Sequence, residues 1–133
     1  MSTKILFADD HVHIRVILGQ TLEGFEDFGV ELLPARDGTE AWNIIQAERP
    51  DLVILDVMMP GLSGFKVCQL LKSDPDLSHA HVIMLTAKGQ AVDHERSIEV
   101  GANEYMTKPF SPKGLIKRVA QILDIQAPGT MSR

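Results

Sequence analysis

Three observations predict a doubly wound α/β domain, a parallel sheet of five strands with five helices packed on its two faces. Short apolar runs alternate with amphipathic stretches along nearly the whole chain. Two of the runs, Leu52 to Leu55 and Val82 to Leu85, are apolar throughout, as in strands covered on both sides. Successive runs begin roughly 22 to 30 residues apart, which leaves room for one right-handed helical crossover between parallel neighbours. At 133 residues the chain fits a single domain with a substantial core.

The first strand is read at Lys4 to Ala8, and the helix after it carries Ile14, Ile17, Leu18 and Leu22 as a core-facing stripe. A second strand is placed over Phe28 to Leu33, and the second helix shows Ala41, Ile44 and Ile45 at helical spacing. Asp37 with Glu40 has the spacing of a capping box at that helix's start, Asp standing where Ser or Thr is usual, and Pro50 stops it. The third strand, Leu52 to Leu55, leads to a helix with Val67, Leu70 and Leu71 inward, and the fourth strand is Val82 to Leu85. From Gln90 to Val100 the apolar face is thin, only Val92, Ile98 and Val100 among Asp93, His94, Glu95, Arg96 and Glu99, which predicts the most exposed helix. The fifth strand, Glu104 to Met106, precedes the clearest stripe, Leu115, Ile116, Val119, Ile122 and Leu123. Ser111 caps that helix and Pro112 takes its first position. Residues 1–125 are expected to form the domain and Gln126 to Arg133 a Pro- and Gly-containing tail, with no output domain after it.

Composition narrows the function classes. With 13 Lys and Arg against 18 Asp and Glu, a formal charge of −5 and 5% aromatic residues, there is neither a basic run to follow a phosphate backbone nor a stacking platform. No direct nucleic-acid binding is expected. Cys68 is the single cysteine, so no internal disulfide or Cys-rich zinc site exists, and a reducing, cytoplasmic setting is expected. No apolar run approaches the roughly 20 residues of a membrane span, and no signal-peptide pattern opens the chain.

In an open parallel sheet, ligands bind beyond the carboxyl ends of the strands. That edge receives Asp9 and Asp10 after the first strand, Asp56 after the third, Thr86 after the fourth, and Thr107, Lys108 and Pro109 after the fifth. Each alone reads equally well as a cap, a turn residue or a surface charge; their convergence from separate strands is what points to a site. Carboxylates gathered this closely repel one another unless a cation intervenes, and an all-oxygen set suits Mg²⁺. Asp56 is the candidate nucleophile for phosphoryl chemistry, since a carboxylate can form an acyl phosphate. Lys108 offers a compact positive charge to a phosphoryl oxygen, and Thr86 a hydroxyl donor.

Asp9-Asp10 after an apolar strand, Asp56 within LVILDVMMPGLSGF, Thr86-Ala87 after VIML, and Lys108-Pro109-Phe110 resemble the receiver domain of two-component response regulators. The resemblance covers roughly residues 4 to 124, and the joint spacing is far more specific than any single motif. It implies a flavodoxin-like fold with strand order 2-1-3-4-5 and makes Asp56 the phosphoacceptor. Asp10 and Asp56 become direct Mg²⁺ ligands, Asp9 a ligand through water, and the backbone carbonyl of Met58 the completion of the metal shell. It further implies that Thr86 and Lys108 contact the phosphoryl group, that Tyr105 is the aromatic switch residue, and that the Lys108–Pro109 bond is cis. A sensor histidine kinase or histidine phosphotransfer protein would be the phosphodonor. The output would be protein contacts through the fourth helix, fifth strand and fifth helix, or onward relay, from a monomer or a phosphorylation-dependent dimer. Glu104 departs from the Asp common in GADDYxxKPF and is expected to have little effect; Met58 and Lys88 fringe the entry path, and Ala87 leaves room beside Thr86.

The reading is therefore a single-domain switch and not a turnover enzyme. His11, His13, His79, His81 and His94 are too scattered to form a metal site, although His11 directly follows the acid pair. Cys68 reads as an inert, semi-buried thiol, Trp42 as a helix-surface or partly buried aromatic, and Met58 and Met59 as packing residues. An aspartyl phosphatase would carry a second Asp two residues after its nucleophile, where Met58 stands. A flavodoxin-type carrier would have a Ser/Thr/Gly-rich loop in place of Asp9-Asp10-His11, and a passive module would not need the full set of reactive residues.

Overall fold

The computed structural model describes residues 3–87 and 91–126, the side chains of 91–94 excepted. Five parallel strands, β1 (Lys4–Ala8), β2 (Glu31–Ala35), β3 (Leu52–Asp56), β4 (His81–Ala87) and β5 (Glu104–Lys108), form one sheet in the order β2-β1-β3-β4-β5. The crossovers are α1 (Val12–Leu22), α2 (Gly38–Glu48), α3 (Gly64–Ser73) and α4 (Ala91–Glu99), and α5 (Pro112–Leu123) closes the chain.

The sheet divides the core in two, and strand alternation explains why the central runs are continuously apolar. Leu6, Val53, Leu55, Val82 and Met84 face a cluster completed by α2 and α3 through Ala41, Ile45, Val67 and Leu71. Ile5, Phe7, Leu52, Ile54, Ile83 and Leu85 face the other cluster, completed by α1 and α5 through Leu18, Leu22, Leu115 and Val119. Trp42 packs partly buried on the first cluster, the second of the two places open to it from the sequence. Cys68 is fully buried in it; burial pushes its thiol up to about 11, so it stays protonated at neutral pH.

The caps are where the residue types demand them. The Asp37 carboxylate accepts the Glu40 amide at 2.8 Å, while the Glu40 side chain reaches back to the Arg36 amide at 2.8 Å. Ser111 accepts the Gly114 amide at 3.0 Å at the start of α5. Pro34 lies in β2, an edge strand, where a missing donor is tolerated.

Some expectations need correction. The second strand does not begin at Phe28: Glu23–Phe28 form a 3₁₀ helix ended by Gly29 at φ 81°, whose left-handed backbone turns the chain before β2 starts at Glu31. Ile17 is exposed, because Leu18 and Leu22 set the buried face of α1 and Ile17 lies about 100° away from Leu18 on the helix. Ile98 is 67% exposed while Ser97 is buried, so the inner face of α4 is rotated from the one read off its apolar residues. The fourth and fifth strands run on to Ala87 and Lys108, because the parallel ladder continues through Thr86 opposite Thr107 and Ala87 opposite Lys108. The readings for Lys88, Gln90, the Val92 side chain, the His94 side chain and the tail from 127 onward lie outside the described residues.

Two glycines let loops approach the acid edge closely. A Cβ on Gly38 would lie 1.7 Å from the Leu62 carbonyl oxygen, and one on Gly64 would lie 2.2 Å from the Asp56 carbonyl oxygen. Gly64→Ala is therefore expected to lose about 1–3 kcal/mol. Gly19→Ala, whose Cβ would meet Phe7 at an ordinary 3.7 Å within α1, is expected to gain up to about 1 kcal/mol. Urea denaturation of both variants checks the contrast.

Candidate functional site

Strand order brings the reactive residues together. β1 and β3 are direct neighbours with Ala8 opposite Leu55, so Asp9 and Asp56 leave the sheet side by side. Lys108 arrives from β5 across β4. Its Nζ lies 2.8 Å from Asp56 Oδ1 and 3.2 Å from Asp9 Oδ2. Asp9 and Asp56 are both buried, Asp10 is exposed beside them, and Thr86 is buried at the end of β4.

The loops hold these groups in place. The Val57 amide bonds the Leu85 carbonyl, and the Gly64 amide bonds the Val57 carbonyl, so the chain past Asp56 is pinned to β4 on one side and to the start of α3 on the other. Val57 and Met59 turn into the core, whereas Met58 is 74% exposed and does not pack, contrary to expectation. The reason is alternation: the loop continues the strand's in-out pattern for three residues. The Lys108–Pro109 bond is cis.

The electrostatics are lopsided. Burial raises the Asp56 carboxyl pKa above its ordinary value; the hydrogen bond from Lys108 opposes this, and the charges of Asp9 and Asp10 add to it. Lys108 loses hydration, which by itself lowers its pKa, but Asp56 and Asp9 outweigh that loss and hold it above the ordinary lysine value. Three carboxylates face one ammonium, leaving an excess of negative charge. Asp56 Oδ2 is buried and has no hydrogen-bond partner among the described residues. Ligand-type atoms of Asp9, Asp10, His11 and Asp56 all lie within 4.8 Å of one another. Clustered hard oxygens, net negative charge and an orphaned buried carboxylate oxygen fit a divalent cation such as Mg²⁺.

Two neighbours add to the predicted set. His11 Nδ1 lies 3.0 Å from Asp9 Oδ1 and 3.2 Å from Asp10 Oδ1, which its place directly after the acid pair foreshadowed. The Arg15 guanidinium donates to the Asp9 carbonyl at 2.7 Å, and its only sequence signal is its position one turn after His11, the N-cap residue of α1. Tyr105, on β5, is 39% exposed and stands apart from the acid cluster, lining a groove of 740 Å³ between β5 and α5 and a smaller one of 250 Å³ beside α4. Glu104 reaches further than expected: its carboxylate takes both His81 and Arg118, tying β4, β5 and α5 together away from the acid cluster.

The raised Asp56 pKa fixes a sign. A carboxyl that holds its proton more tightly when folded contributes stability that is present below the ordinary carboxylate range and lost as pH rises through the folded value. Asp56→Asn removes that loss. The variant is expected to melt above the wild type near about pH 7, with the gain shrinking toward about pH 4; equal melting curves across that range would contradict it.

Residues 5–120 match the family of response regulator receiver domains. The probable transcriptional regulator ycf27 of Cyanophora paradoxa is 47% identical over 120 residues, covering 90% of this chain and 48% of that protein. The alkaline phosphatase synthesis transcriptional regulatory protein PhoP of Bacillus subtilis is 41% identical, covering 98% of this chain and 53% of that protein. The chain thus spans about half the length of the curated relatives it matches. Among solved structures, the chemotaxis response regulator CheY4 of Vibrio cholerae superposes with a TM-score of 0.80 at 31% identity, covering 92% of this chain and 99% of that one. With the acid edge built as the motifs require and the match spanning nearly the whole fold, the chain belongs to the receiver domain family of two-component response regulators.

Proposed function

We propose that this receiver is a phosphorylation switch in which Asp56 takes a phosphoryl group from a phosphohistidine of a sensor histidine kinase or histidine phosphotransfer protein, with Mg²⁺ required. The carrying observation is the carboxylate of Asp56, with Oδ1 held by Lys108 and a buried Oδ2 left without a partner among the described residues. Oδ1, released by Lys108, attacks phosphorus while Oδ2 is left to the cation; the P–N bond to the donor imidazole breaks with its electron pair going to that nitrogen, and Asp56 becomes an acyl phosphate. Asp10 and Asp56, Asp9 through water, and the Met58 carbonyl are assigned to hold the cation. Once bound, Mg²⁺ supplies positive charge against the phosphoryl oxygens. Lys108 then shifts from a carboxylate oxygen to a phosphoryl oxygen, and the Thr86 hydroxyl donates to another.

Strand geometry supports Thr86 and Tyr105 as the relay. Met84 stands opposite Tyr105 and Thr86 opposite Thr107, so Thr86 and Tyr105 project from the same face of the sheet on adjacent strands. Movement of Thr86 toward the phosphoryl group frees space on the side where Tyr105 lies between its two grooves. The α4–β5–α5 face is the proposed output surface, read by a protein partner or by an attached segment.

A switch is favoured over a turnover phosphatase because Met58, with an exposed apolar side chain, occupies the position where such an enzyme needs a proton donor. The proposed setting is the cytoplasm, where the phosphodonors act. Among the described residues no helix is long and apolar enough to cross a membrane.

Intact-mass spectrometry after incubation with acetyl phosphate tests the acceptor. Wild type with Mg²⁺ is expected to gain one phosphoryl group, while Asp56→Asn and metal-stripped wild type gain none; equal uptake by Asp56→Asn would overturn the assignment. Tyr105 is the only tyrosine, so its ring signals in NMR report the relay directly. Thr86→Ala is expected to take up phosphate at Asp56 yet lose most of the phosphorylation-induced change at Tyr105. A full change in that variant would sink the coupling.

A further inference from the structure

We propose that His11 donates a ring nitrogen to the cation at the Asp9, Asp10 and Asp56 cluster, and that it biases the site toward first-row transition cations such as Mn²⁺ over Mg²⁺. The inference rests on the reading of this cluster as a divalent-cation site and adds a nitrogen to an otherwise all-oxygen set.

The carboxylate oxygens are already partitioned. Lys108 takes Asp56 Oδ1 and Asp9 Oδ2. What remains is an oxygen of Asp10, the buried Asp56 Oδ2 with no hydrogen-bond partner among the described residues, and His11 Nδ1. Adjacent donors on an octahedral ion with bonds of about 2.1 Å lie about 3.0 Å apart, and opposite ones about 4.2 Å. His11 Nδ1 stands 3.2 Å from Asp10 Oδ1, the spacing of neighbouring ligands, and one ligand-type atom from each of Asp9, Asp10, His11 and Asp56 falls within 4.8 Å of the others.

His11 is also fixed where a ligand must be. Its backbone amide donates to Asp9 Oδ1 at 2.9 Å, and it is the N-cap residue of α1. Its side chain makes no capping hydrogen bond, so the imidazole serves no other backbone role there. Imidazole nitrogen is a good donor to Mn²⁺ and the later transition cations, whereas Mg²⁺ prefers oxygen and retains its waters.

The test uses Mn²⁺ as the probe on the full chain. Wild type is expected to bind one Mn²⁺ with ¹⁴N modulation in its electron spin echo. His11→Gln should lose that modulation and show a ratio of Mn²⁺ to Mg²⁺ affinity lower by about tenfold or more. His13→Gln, altering the neighbouring ring 5.7 Å away, should keep both. Binding of both cations with no ¹⁴N modulation in wild type, or an unchanged affinity ratio in His11→Gln, would overturn the inference and leave the phosphoacceptor reading standing. Failure of wild type to bind either cation would overturn the cation site itself, and the inference with it.

Discussion

The ion pair between Lys108 and Asp56 is the constraint on which the rest of the site depends. It spans β3 to β5 across β4, and the same ammonium also holds Asp9 from β1, so one cation registers three strands at their carboxyl ends. Two buried carboxylates without it would be uncompensated charges, a situation that costs about 3–5 kcal/mol when a buried partner is deleted. Even with it, burial and the neighbouring acids leave Asp56 above its ordinary pKa. The fold therefore holds a carboxylate that is under-neutralised and incompletely hydrogen-bonded.

That condition persists because the surroundings cannot relax. The central strands are buried on both faces, and the loop after Asp56 is locked by the Val57–Leu85 and Gly64–Val57 hydrogen bonds. Gly64 brings the start of α3 against the Asp56 carbonyl at a distance no other residue permits, so Asp56 cannot withdraw from its neighbours by a backbone shift. Stability supplied by two apolar clusters offsets the local electrostatic cost at the sheet edge. Asp9 shows the complementary arrangement, with the His11 amide and the Lys108 ammonium on its carboxylate and Arg15 on its carbonyl.

Much of this was legible because parallel sheets write their burial plainly. Leu52–Asp56 reads as a strand since both faces are covered, and Asp56 stands out as the first charge after four buried apolar residues. The capping residues Asp37 and Ser111 were equally plain, their chemistry being local. What escaped was set by tertiary context. Phe28 looks like a strand residue until Gly29 turns the chain, and Ile17 and Ile98 look like core residues until packing chooses another face of the helix. Arg15 and the His81–Glu104–Arg118 bridge join residues that no short-range pattern relates.

β5 links the acid edge of the sheet to the face it shares with α5. It is an outer strand whose residues alternate between partial burial and exposure, and its last residue, Lys108, is the one that touches Asp56. Its first residue, Glu104, is clamped between His81 and Arg118, so that end is anchored to β4 and α5. Burial alone would raise the Glu104 carboxyl, but Arg118 and His81 together hold it below its ordinary pKa. Between a fixed start and a reactive end lies Tyr105, flanked by open grooves on both sides. A displacement of Lys108 cannot be absorbed at Glu104, because that end is clamped to β4 and α5.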